Sequence, residues 1–169
     1  MVAFQPAVIK ADNQQYRLGH SLFQRVARIL SIDYGKKRTG IAVTDPLQII
    51  ANGLATVSTS QLFQFLEQYI VQEEVELIVI GKPMHPNGQP SENMQRVEQF
   101  YNRWRKSHPE IPIEYVDERF TSVLAHQTMI EGGLKKKARQ DKALVDEISA
   151  TIILQSYMES CRRLDHLHL

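Results

Sequence analysis

Carboxylates stand against an apolar pattern in this chain at three places. Asp33 ends the run Ile29-Leu30-Ser31-Ile32, Asp117 and Glu118 end "IEYVDERF", and Asp146 interrupts "ALVDEISATIILQSY". A charge at the end of an apolar strand is costly unless a cation meets it. Converging carboxylates raise one another's pKa unless a divalent ion sits between them. Hard oxygen donors suit Mg²⁺ or Mn²⁺. Such sites bind phosphodiesters and activate water, often with two metals about 4 Å apart. Asp33, Asp117, Glu118 and Asp146 are therefore candidate catalytic residues, with Asp33, Glu118 and Asp146 as the expected metal ligands. Glu118 is preferred to Asp117 because it stands where the strand ends, its direction is freer, and it has one more methylene. The bland alternatives are a turn cap for Asp33, ordinary ion pairs for Asp117 and Glu118, and an ordinary partly exposed helix position for Asp146. Asp117 and Glu118 have Arg119, Lys36, Lys37 and Arg38 as potential partners.

Basic residues adjoin these acids in sequence. "GKKRTG" puts Lys36, Lys37 and Arg38 just after Asp33, and "GGLKKKARQDK" puts Lys135, Lys136, Lys137 and Arg139 just before Asp146. Lys82 follows a central strand and Arg119 follows the acidic pair. A charge run is usually a solvated loop, but beside metal-binding acids it suits a polyanion whose scissile phosphate sits on the metal. A helix with Arg96, Arg103, Arg105 and Lys106 offers further backbone contacts, although a solvated face explains it as well.

The elements that must position these groups follow from periodicity. "RILSID", "IAVTD" and "ANGLATV" read as three short strands joined by tight turns, with Gly35 and Gly40 bracketing the first turn. "TSQLFQFLEQYIVQEE" has a helical period, with Thr59 or Ser60 available as its cap. "VELIVIGKP" is a buried strand, "SENMQRVEQFYNRWRKSH" an amphipathic helix stopped by Pro109, and "IPIEYVDERF" the last strand. A short helix over "TSVLAHQTMIEGG" and a final helix from about Gln140 to Arg162 complete the order. Strands give way to alternating helix and strand, which implies a mixed sheet closed by right-handed crossovers. The expected fold is α/β: a five-stranded mixed sheet, three antiparallel strands then two parallel, with helices on both faces, as in the RNase H-like fold. Parallel strands end on one edge, so Asp33 and the Asp117-Glu118 pair are expected there together. Asp146 shares a helix face with Ala150, Ile153 and Tyr157. The small Ser149 and Ala150 let that helix approach the sheet closely.

A chain of 169 residues is expected to form one domain with a proper core. Residues 1–27 read as an N-terminal extension, 28–162 as the domain and 163–169 as a tail. The net charge of +1 gives no global attraction for nucleic acid or membrane, so any basic surface must be local. The single Cys161 excludes an intramolecular disulfide and a zinc knuckle. No apolar run approaches the roughly 20 residues of a membrane span, and the N-terminus lacks the apolar core of a signal peptide. A cytoplasmic protein is expected.

The motifs "RILSIDYGKKRTGIAVTDP", "LIVIGKP", "VDERFTS" and "DEISATIILQSYM", in that order, resemble the YqgF family from about Arg28 to Met158. The resemblance implies an RNase H-like, cytoplasmic, metal-dependent nuclease that matures the 5′ end of pre-16S rRNA, or a Holliday junction resolvase. It implies Asp33, the Asp117-Glu118 pair and Asp146 as the acids, and RNA (pre-rRNA) or branched DNA as the partner. Two departures are visible: Lys82 stands where the family has an apolar residue, and the extension is outside the pattern. A monomer or weak homodimer is expected, since a symmetric resolvase would need two copies. Two other classes compete. An actin-like phosphotransferase also opens with an aspartate and a hairpin, but needs a second domain and ATP. A ribosome-assembly factor would bind RNA without cutting it, and its RNA binding would survive loss of the acids.

Overall fold

The computed structural model describes residues 26–85, 87–117, 127–129, 131–133 and 140–167. The apolar runs form strands Arg28–Tyr34 (β1), Arg38–Thr44 (β2), Ala51–Ser58 (β3), Val75–Lys82 (β4) and Ile113–Asp117 (β5). They make one sheet in the order β3-β2-β1-β4-β5. β2 is antiparallel to both its neighbours, and β1, β4 and β5 run parallel. This is the expected mixed sheet and the RNase H-like topology.

Helices cover both faces, which is why β4 reads as a continuous apolar run from Leu77 to Ile80. Leu62–Gln72 (α1) and Met94–Ser107 (α2) pack on the face that carries Leu30, Ile32, Ile78 and Ile80. α2 buries Met94, Val97, Phe100 and Trp104 at helical spacing. The Trp104 indole donates to the Ile111 carbonyl at 3.1 Å, which ties the end of α2 to the start of β5. Lys142–Leu167 (α3) covers the opposite face, where Ile29, Ala42, Leu77 and Val79 meet Ala150, Ile153, Leu154 and Met158. Asp141 caps α3, its carboxylate accepting from the Ala143 and Leu144 amides at 3.0 and 3.4 Å.

Two local expectations need correction. Neither Thr59 nor Ser60 caps α1 through its side chain; a 3₁₀ turn, Thr59–Gln61, leads into the helix instead. The Thr59 hydroxyl is engaged elsewhere, donating to the Gly35 carbonyl at 2.7 Å and meeting the Thr39 hydroxyl at 2.9 Å. The last helix continues to Leu167 rather than stopping at Arg162, so most of the expected tail is helical backbone. Most of the helix expected over "TSVLAHQTMIEGG" lies outside the described residues.

Candidate active site

Side chains alternate along a strand, and β1 uses this to divide its load. Leu30, Ile32 and Tyr34 face α1 and α2, whereas Ile29, Ser31 and Asp33 take the α3 face. Asp33 is thus the last residue of β1 beneath α3, at the edge where β1, β4 and β5 all end. Its cross-strand partner on β2 is Gly40.

α3 comes unusually close to the sheet here. A Cβ built on Gly40 would overlap the Asp146 backbone carbonyl. Any other residue would lift the helix away, and Asp146 with it. Hydroxyls on the sheet hold the same helix: Ser31 donates to the Ala150 carbonyl at 2.6 Å and Thr56 to the Ala143 carbonyl at 2.7 Å. Ser149 and Ala150 are buried in this contact, as their small size suggested. Asp146 is therefore seated over the first two strands, beside Asp33.

The electrostatics report the same closeness. Asp33 is half-buried, but its carboxyl is walled in, and its pKa rises from 3.8 to about 7. Loss of hydration is the main cause and the Asp146 charge the second. Arg38 meets Asp146 from the sheet side, Nε donating to Oδ2 at 2.9 Å. Arg38 shares the α3 face of β2 with Gly40 by the same alternation. The turn before it is braced: the Thr59 amide donates to the Lys37 carbonyl at 3.0 Å, and a Cβ on Gly35 would overlap the Arg38 carbonyl. Lys36 and Lys37 are exposed at its tip.

Asp117 does not join the pair from the α3 face. Ile113 and Tyr115 belong to the α1 and α2 side and Val116 to the α3 side, so alternation gives Asp117 the α1 and α2 side. It is exposed, and its register partner is Lys82 on β4. Glu118, Arg119, Lys135, Lys136, Lys137 and Arg139 lie outside the described residues. Among the described residues no group of three or more His, Cys, Asp or Glu side chains is placed to hold a metal ion. Asp33 and Asp146 supply two hard oxygen donors, the chemistry that Mg²⁺ or Mn²⁺ requires. A dehydrated carboxyl raised by a neighbouring carboxylate is the situation a divalent ion relieves.

Asn93 is a residue that the motifs gave no reason to select. Its side-chain amide donates to the Tyr34 carbonyl, one residue beyond Asp33, and clamps the loop before α2 to the end of β1. Its Oδ1 is buried and has no hydrogen-bond partner among the described residues. Gly40 and Thr59 were likewise invisible as site residues, because their roles depend on segments far away in sequence.

An RNase H-like sheet with two acids brought together over the end of its first strand defines the class of fold and site. The chain belongs to the family described as "RuvX: Holliday junction resolvase", whose model matches residues 27–160. The "Putative pre-16S rRNA nuclease" of Phocaeicola vulgatus is 67% identical over 135 residues, covering 80% of this chain and 97% of that protein. The protein of the same name from Bacteroides thetaiotaomicron is 63% identical over 137 residues, covering 81% and 99%. Among solved structures, "T. thermophilus RuvC in complex with Holliday junction substrate" matches with a TM-score of 0.49 at 14% identity, covering 78% of this chain and 96% of that one.

Proposed function

We propose that this chain is a metal-dependent nuclease that hydrolyses phosphodiester bonds of structured nucleic acid, and that its substrate is the 5′ end of pre-16S rRNA in the cytoplasm. The observation that carries the reading is the convergence of Asp33 and Asp146 at the edge of the sheet, next to an exposed basic turn. The names of the relatives point the same way. Asp33 and Asp146 would hold Mg²⁺ or Mn²⁺, with Glu118 as the third acid. When bound, the ion supplies positive charge for the scissile phosphate and a water more acidic than bulk water. Lys36, Lys37 and Arg38 orient the substrate through its phosphates, joined by Lys82, Arg119, Lys135, Lys136, Lys137 and Arg139. These contacts fix position without reading bases.

The test is cleavage of a pre-16S rRNA 5′ fragment and of a four-way DNA junction, each with Mn²⁺, by the native chain and by Asp33→Asn. The native chain should cut the RNA, and Asp33→Asn should bind it without cutting. Undiminished cleavage by Asp33→Asn would remove the metal site from the mechanism. Cleavage of the junction alone would replace the rRNA reading with a resolvase. RNA binding with no cleavage of either substrate would leave an assembly factor.

A further inference from the structure

Within the described part of the acidic site, a guanidinium lies against a candidate ligand. The Arg38 guanidinium lies 2.9 Å from Asp146, its side chain 42% exposed and that of Asp146 23% exposed. Arg38 is also the first residue of β2, at the end of the turn that carries Lys36 and Lys37. The bond joins residues separated by 108 positions, so it forms only when α3 has docked. It uses Nε, which leaves the outer nitrogens of the guanidinium free of this contact. A guanidinium cannot be deprotonated in a protein, but it can turn from one acceptor to another.

We propose that Arg38 is the stand-in cation of the metal-free site: it neutralises Asp146 until a divalent ion takes that carboxylate, and the released guanidinium then turns to a substrate phosphate. The proposal rests on the metal-site reading above. It gives Arg38 a positioning role with two states, each with a charge partner. In the metal-free state the acids repel each other, and Arg38 relieves part of that repulsion. In the metal-bound state two cations facing one carboxylate repel, which drives Arg38 outward. Its place on the rim of the basic turn is where a phosphate would meet it. Arginine suits that exchange because its planar fork matches both carboxylate and phosphate. The consequence is a thermodynamic link: the ion has to displace Arg38, so the native chain binds Mn²⁺ more weakly than it would with Asp146 unpaired.

The experiment measures Mn²⁺ binding, without nucleic acid, to the native chain, Arg38→Ala and Arg38→Gln, by electron paramagnetic resonance of the free ion. Both variants should bind Mn²⁺ about two- to fivefold more tightly, the range a part-exposed ion pair is worth. Mn²⁺ should also raise their Tm by more than it raises that of the native chain. In Mn²⁺, binding of an RNA hairpin by Arg38→Ala should lose roughly 0.9 from its salt slope, one phosphate contact. If the native chain binds Mn²⁺ and the variants bind it equally or more weakly, the displacement role of Arg38 is wrong and the metal site stands. If the salt slope does not change, the phosphate half of the proposal is wrong. If no form binds Mn²⁺, the metal reading and this proposal fall together.

Discussion

Asp33 carries a carboxyl whose pKa rises to about 7, mainly through burial and secondarily through Asp146. An acid with a raised folded-state pKa opposes folding once it ionises. Below about pH 4 it is protonated whether the chain is folded or not, and has no effect. Between about 4 and 7 the unfolded chain releases the proton first, so stability falls as pH rises; above about 7 the penalty is constant. Asp45 acts in the opposite sense: three backbone amides, of Leu47, Ile49 and Ile50, donate to its carboxylate and lower its pKa. The stability Asp45 contributes is present at neutral pH and is lost in acid. The two effects are separated by comparing denaturant midpoints of the native chain and Asp33→Asn in the absence of metal. The Asn variant should gain stability relative to the native chain as pH rises from 4 to 7, and a constant difference would contradict the placement of Asp33. A second expectation concerns β5. Alternation places Val116 toward α3 and Asp117 away from it, so Asp117 is turned from the side that Asp33 takes and the other acid of the motif is the better candidate ligand. Glu118→Gln should therefore reduce the cleavage rate at saturating Mn²⁺ more than Asp117→Asn does. The reverse order would make Asp117 the ligand. Asp33 and Asp146 were legible in the sequence because each breaks an apolar pattern. The bond from Arg38 to Asp146 was not, because no local pattern records a contact between segments 108 residues apart.

Among the elements, the strands were legible and their attachments were not. Periodicity identifies an apolar strand because burial of alternate or successive residues leaves a mark on every position. A helix start leaves a mark on one or two hydroxyls, and those can be recruited elsewhere. Thr59 read as a cap for α1, but it serves the turn between β1 and β2 through Gly35 and Thr39. The docking of α3 was legible as far as Ser149 and Ala150; the matching gap on the sheet, Gly40, looked like the end of a turn. Gly40→Ala tests what this gap does. The added methyl meets the backbone of Asp146 rather than a flexible side chain, so α3 has to shift. Overpacking of this kind costs about 1–3 kcal/mol. A displacement of a catalytic group by about 1 Å can cost 10²-fold in rate. The control is Gly53→Ala on β3, under the same helix, where the new methyl would meet the side chains of Glu147 and Thr151. Gly40→Ala should lose both stability and cleavage, and Gly53→Ala should keep most of its cleavage. Equal losses in the two variants would mean that helix docking in general, rather than the seat of Asp146, sets the rate.

For the whole molecule, the question is how a chain of net charge +1 attracts a polyanion. Either the total charge matters or its distribution does. The helical crossovers between parallel strands decide where each basic group falls. α2 starts near the end of β4, at the edge that carries Asp33, and runs back toward the start of β5. Its last turn, with Arg105 and Lys106, is thus at the far end of the sheet from the acids. Arg103 and Arg105 are also occupied with packing: their guanidiniums lie 3.9 and 5.6 Å from the ring centres of Phe63 and Tyr101. Lys36 and Lys37 are exposed in the turn that follows β1, at the same edge as Asp33. Replacing Lys36 and Lys37 with alanine removes two charges, and replacing Arg105 and Lys106 removes two as well. If net charge governed binding, the two double variants would weaken RNA binding alike. If phosphates are held at the acidic edge, only the first will do so. For a duplex, each lost contact lowers the slope of log K against log salt by roughly 0.9, so the Lys36 and Lys37 variant should lose up to about 1.8. The Arg105 and Lys106 variant should keep the native slope. Fluorescence anisotropy of a labelled RNA hairpin over a salt series reads both slopes directly. A drop of the same size in the two variants would show that the basic turn is only a solvated loop and that the molecule attracts RNA through its overall field.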